Sequence, residues 1–119
     1  MYDNEGFEIF MHEDKDTVYT MKKYFICFLK AGPNRSAGPE EAMKLQEAHL
    51  KHMSDLAEED KICIAGPFGD DTSLRGIVIY NAKTLEEAQS YANGDPMVKA
   101  GWLTAEIHPW WAAKGSKLF

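Results

Sequence analysis

Cysteine is scarce in this chain of 119 residues: there are two, Cys27 and Cys63, each set inside an apolar run. Their spacing matches no zinc motif and supplies no disulfide framework, so both read as buried thiols of a reducing, cytoplasmic compartment. Basic runs are also missing. Thirteen Lys and Arg stand against nineteen Asp and Glu, a net charge of −6, which argues against unassisted binding to nucleic acid or acidic membranes. No stretch is long and apolar enough to span a bilayer. The first residues show no positive region followed by an apolar run, so no signal peptide is expected in the chain as given. Repeats and low-complexity linkers are absent. What remains is one domain with a single core.

Residues Met1 to Thr20 are mostly polar, with six carboxylates and a short apolar island at Phe7–Met11. They read as an extension outside the core, with one strand or a short helix docked on it, and with the domain proper at 21–119. The first strand expected is Tyr24–Leu29, apolar on both faces. A turn at Ala31-Gly32-Pro33-Asn34 leads to a helix over Pro39–Asp60, with Pro39 in its first turn and Glu40 and Glu41 at the positive end of the dipole. A second strand, Ile62–Phe68, is broken by Gly66-Pro67, and a third covers Arg75–Tyr80. Thr84-Leu85-Glu86-Glu87 has the form of a capping box and opens a helix from Leu85 to about Asn93, closed by Gly94. Asp95 and Pro96 then suit the N-cap and first position of a short helical turn ended by Gly101. Trp102–His108 is the fourth strand. The order βαββαβ predicts an α+β, ferredoxin-like sandwich, with both helices on one face of an antiparallel sheet.

The long helix carries the most informative residue. Ala42, Leu45, Met53 and Leu56 lie within roughly 40° of the direction of His49, at about 100° per residue. Histidine therefore occupies the middle of an apolar stripe, where packing alone calls for leucine. It is either a core histidine satisfied by one hydrogen bond or the floor of a pocket. Gly66-Pro67 breaks the second strand and makes a concavity beside this helix. Arg75, at the start of the third strand, either holds an anionic group or pairs with Asp70 or Asp71. His52 reads as a surface residue, and His12 and His108 as structural or solvated. Cys63 has no base in reach, and no set of ligands at metal-binding spacing is present, so neither metal nor cofactor is expected. Trp102, Trp110 and Trp111 read as core and dimer contacts.

Two helices cover one face of such a sheet. The first and third strands are apolar on the other face as well, a patch larger than monomers usually tolerate. A second copy of the same sheet is the most economical cover, so a homodimer packed through its sheet faces is expected.

Four signatures, Glu47-Ala48-His49-Leu50, Ala65-Gly66-Pro67, Leu85-Glu86-Glu87-Ala88 and Asp95-Pro96 followed by Gly101, together resemble the YCII-related (YciI-like) domain family from about Tyr24 to Trp111. The resemblance implies a dimeric α/β-barrel of ferredoxin-like protomers and a site made by His49 and Asp95. Asp95 is also explained by capping alone, at about 1 kcal/mol. The expected function is cofactor-independent proton transfer (elimination, isomerisation or hydrolysis) on a small cyclic or aromatic molecule. His49 would be the base, with Gly66, Pro67 and Arg75 in the binding site. The alternative is a non-catalytic dimer that binds or senses a small ligand in the same pocket. A cofactorless oxygenase is a weaker third reading that no residue demands.

Overall fold

All residues from 1 to 119 are described by the structure, a computed structural model. Its spine is β2, Thr17–Ala31, a strand of 15 residues. Along one edge β2 pairs antiparallel with β5, Leu103–Ala113. Along the other it pairs first with β1, Ile9–Asp14, and further on with β4, Leu74–Tyr80. The edge strand β3, Ile62–Pro67, completes the sheet against β4. Helices α1 (Pro39–Glu58), α2 (Leu85–Asn93) and the short α3 (Pro96–Lys99) connect the strands. The core order β5-β2-β4-β3 is that of the expected ferredoxin-like sandwich.

Alternation along the strands decides which face is covered. Phe25, Cys27 and Leu29 on β2 stand opposite Tyr80, Val78 and Gly76 on β4, and all six are buried. Ala88, Ala92, Met97 and Leu56 close over them from the helices. Burying a side chain the size of Phe25 contributes about 2–3 kcal/mol, which is why this face holds the core. The intervening residues Tyr24, Ile26, Phe28, Ile77 and Ile79 share the opposite face and are only half-buried. No helix covers them.

Local chemistry sets the helix ends. Pro39 takes the first position of α1, and the helix stops in a left-handed turn at Asp60, φ 59°. The amides of Asp60 and Lys61 there return to the carbonyls of Ala57 and Leu56 at 3.1 and 2.9 Å, a Schellman ending with aspartate in the usual glycine position. Thr84 caps α2 by accepting from the Glu87 amide. Gly94 ends α2 with φ −74°, so its lack of a side chain serves space rather than a left-handed turn. A Cβ there would stand 3.0 Å from Cε1 of His52.

The strands outrun the sequence reading at both ends. β2 begins seven residues before Tyr24, because the polar segment folds back as β1 and supplies ladder partners that apolar periodicity does not reveal. Phe7 from that segment is buried against the Lys22 ammonium, 3.7 Å from its ring centroid. β5 continues through Pro109, whose missing N–H costs nothing on the unpaired edge of an edge strand. Cys63 corrects an expectation: it is exposed, because the register slips between Ile62 and Ile64 and turns it out of the core. Both thiols are free, with β4 between their strands.

Candidate functional site

His49 projects from the third turn of α1 toward the N-terminus of α3. Its Nδ1 lies 2.6 Å from Oδ2 of Asp95. The two side chains are 14% and 3% exposed, so the contact is shielded from water. Asp95 divides its carboxylate: Oδ1 accepts the Met97 amide at 2.9 Å and caps α3, which leaves Oδ2 for the imidazole. A carboxylate accepts only, so Nδ1 carries the proton and donates it. That leaves the Nε2 lone pair of a neutral His49 available on the groove side. The sheet supplies an apolar floor under Asp95. There the Cys27 thiol is pushed up to about 12, first by burial and then by the Asp95 charge. The Tyr80 hydroxyl is raised for the same reasons, with Cys27 and Asp95 adding to burial.

His49 opens onto a groove of about 700 Å³ between α1 and the β3–β4 half of the sheet, within the size range of small-molecule sites. Leu50 and Met53 of α1, Val78 of β4, and Met97 and Leu103 give it apolar walls. Gly66 and Pro67 form part of the β3 wall, and Arg75 lies at its β4 end. These positions, distant in sequence, share one groove with His49. Gly66 and Pro67 also border a smaller cavity on the bare sheet face, with Ile64, Ile77 and Ile79. Nothing fills the space beside Gly66.

The remaining candidates fall elsewhere. Arg75 bonds Asp71 at 3.2 Å, yet that partner is fully exposed and the pair is worth little in water. His52 is not a surface residue: half-buried, it bonds the Tyr91 carbonyl through Nε2 at 2.9 Å and ties α1 to the end of α2. His108 pairs with Glu106 at 3.0 Å on the exposed part of β5, and His12 is exposed. No group of three or more His, Cys, Asp or Glu side chains is placed to share a metal ion. Two groove residues escape a reading by motif. Trp102 packs against the core, as expected, and also lines the groove, where Arg35 stands over its ring at 4.8 Å. The available signal was the Gly32-Pro33-Asn34 turn, which delivers Arg35 to this side of the sheet.

Residues 23–111 match the family model of the YCII-related domain. The chain belongs to this family. In this YCII-domain protein the matched span holds β2 from Lys23 onward, all three helices and most of β5, and leaves β1 outside. Its fold is similar to that of 5-chloro-2-hydroxyhydroquinone dehydrochlorinase (TftG) from Burkholderia phenoliruptrix AC1100, solved in complex with 2,5-dihydroxybenzoquinone. The TM-score is 0.58 at 24% identity, over 79% of this chain and 99% of that one. At this identity the likeness concerns the fold, the dimeric α/β-barrel class of ferredoxin-like chains. No curated protein matches the chain.

Proposed function

We propose that this YCII-domain protein is a small cofactor-independent enzyme that moves a proton on a cyclic or aromatic substrate, with His49 as general base. The observation that carries this reading is the 2.6 Å contact of Asp95 with Nδ1, at the edge of an apolar groove. A base must be neutral, oriented and within reach of its proton. Asp95 orients the imidazole and stabilises the imidazolium that forms when Nε2 takes a proton from a ring carbon or hydroxyl. In an elimination, the C–H electron pair becomes the new double bond, a leaving group departs with its own pair, and His49 later returns the proton to solvent. In an isomerisation the proton goes back to a different ring atom. Gly66 and Pro67 would bound the ring on the β3 side, and Arg75 would meet a polar substituent.

The bare sheet face supports a second element of the proposal, a homodimer in which Tyr24, Ile26, Phe28, Ile77 and Ile79 pack against the same residues of a second copy. Two free thiols suit a cytoplasmic location, and no helix is long and apolar enough to cross a membrane.

Proton transfer is tested directly by deuterium exchange. Hydroxyquinols and hydroxyquinones, among them 5-chloro-2-hydroxyhydroquinone and 2,5-dihydroxybenzoquinone, are incubated in D2O and followed by NMR. Exchange or chloride release by the native protein and its loss in His49→Ala are expected. Binding of these molecules without exchange in either protein would instead identify a non-catalytic ligand-binding dimer.

A further inference from the structure

The chain has only two arginines, Arg35 and Arg75. Both line the His49 groove, on a protein whose net charge is −6. They arrive from different elements, Arg35 from the loop after β2 and Arg75 from β4. The eleven other cations are lysines, and none of them lines the groove.

Arg35 is held in place but not neutralised. Its loop is tied to the α3–β5 turn by three hydrogen bonds: the Gly32 amide to the Trp102 carbonyl at 2.8 Å, the Asn34 amide to the Gly101 carbonyl at 3.0 Å, and Asn34 Nδ2 to the Ala100 carbonyl at 3.0 Å. The backbones meet so closely at Gly32 that a Cβ there would fall 2.1 Å from the Gly101 oxygen. The guanidinium then lies over Trp102 and makes no ion pair with any carboxylate of the chain. Desolvation and the charge of Arg75 both lower its proton affinity, which sets the two cations within each other's field. Arg75 bonds the Thr72 carbonyl at 3.1 Å and the fully exposed Asp71 carboxylate, and a ligand anion can displace that carboxylate. A charge brought against another like charge and left unpaired is unfavourable unless an anion joins them. Arginine also offers a planar, bidentate fork and an aromatic-stacking face that lysine lacks.

We propose that Arg35, backed by Trp102 and Arg75, binds an anionic oxygen substituent of the substrate, so that the groove selects a ring acid over its neutral counterpart. The inference rests on the groove assignment made above and names the class of molecule the groove takes: a planar ring with a carboxylate or ionised hydroxyl. The anion would sit at the Arg35 end while the ring lies on the apolar walls beside His49.

The experiment is calorimetric titration of the native protein with benzoate and with benzamide, a neutral molecule of nearly the same shape. Benzoate is expected to bind about tenfold tighter or more, the ratio for a charge-assisted pair. Arg35→Gln should abolish that preference while benzamide affinity holds, and Arg35→Lys should restore part of it. A merely structural role for Arg35 over Trp102 would weaken both probes alike and leave the ratio intact. Equal binding of the two probes by the native protein, or an unchanged ratio in Arg35→Gln, overturns the proposal. So does failure to bind either probe. The catalytic reading fails separately, if His49→Ala keeps deuterium exchange while the benzoate preference depends on Arg35.

Discussion

His49 and Asp95 stand 46 positions apart in the chain and 2.6 Å apart in the fold. The contact depends on two helix features acting together. A 20-residue helix carries His49 at its middle, and a four-residue helix presents Asp95 at its cap. Because the cap uses only one carboxylate oxygen, the cap and the imidazole contact at this residue are separable.

Asp95→Asn should separate them. Asparagine still caps α3, so the loss in stability is expected to stay near 1 kcal/mol by chemical denaturation. Its amide no longer accepts from Nδ1 as a carboxylate does, and the tautomer with a free Nε2 loses its support. Proton exchange should fall by roughly 10²-fold or more. Asp95→Ala should lose the cap as well and cost about 1–3 kcal/mol.

Alkaline stability reports on Cys27. Its folded thiol titrates near 12, against 9.0 for the ordinary thiol. Between these values the unfolded chain has released a proton that the folded chain retains, so stability is full below pH 9 and falls as pH rises toward 12. Cys27→Ala should make this part of the pH–stability curve shallower, while the Tyr80 hydroxyl, raised in the same direction, keeps some of the slope. In native protein a disulfide thiol reagent should titrate exposed Cys63 quickly and reach Cys27 only after unfolding.

Gly32→Ala should be severe for a single methyl group. The obstacle is a backbone oxygen, which no rotamer change moves aside. A loss of about 1–3 kcal/mol or more is expected from thermal melts. Selectivity for benzoate should fall with it, because the loop that aims Arg35 must shift.

Ile26 and Ile79 are register partners on the bare face. If that face is the dimer seam, Ile79→Asp should give a monomer in sedimentation at micromolar concentration, where the native chain sediments as a dimer. Native protein that is monomeric at this concentration would refute the seam.

Much of this architecture was legible because the responsible signals are local. Pro39, Thr84 and Asp95 mark helix starts by chemistry that operates within one turn. The histidine on the apolar stripe of α1 stood out by polarity alone. The missed features depend on pairing between distant segments. The β1 strand, Ile9–Asp14, is half polar and exposed over most of its length, so the apolar island at Phe7–Met11 left strand and short helix open until its ladder with β2 decided for the strand. Cys63 turns outward because of a bulge that its apolar neighbours conceal. Arg35 sits in a loop with no periodicity, and its position follows from a backbone clamp to Gly101 and Trp102. His52 was indistinguishable from a solvated helix residue until the Tyr91 carbonyl was placed beside it.

The pairing of β2 with β5 also bears on how the chain is made. Lys30 and Glu106, joined across these strands at 2.9 Å, are 76 residues apart. While a ribosome is still producing the intervening segment, one whole edge of β2 stays open, with apolar residues on both its faces. Such an edge invites pairing with other nascent strands. Closure of so distant a ladder is slow compared with helix formation. The hairpin with β1 forms early across a tight turn, but it covers the opposite edge at Thr17–Lys22 and leaves this one open until β5 arrives.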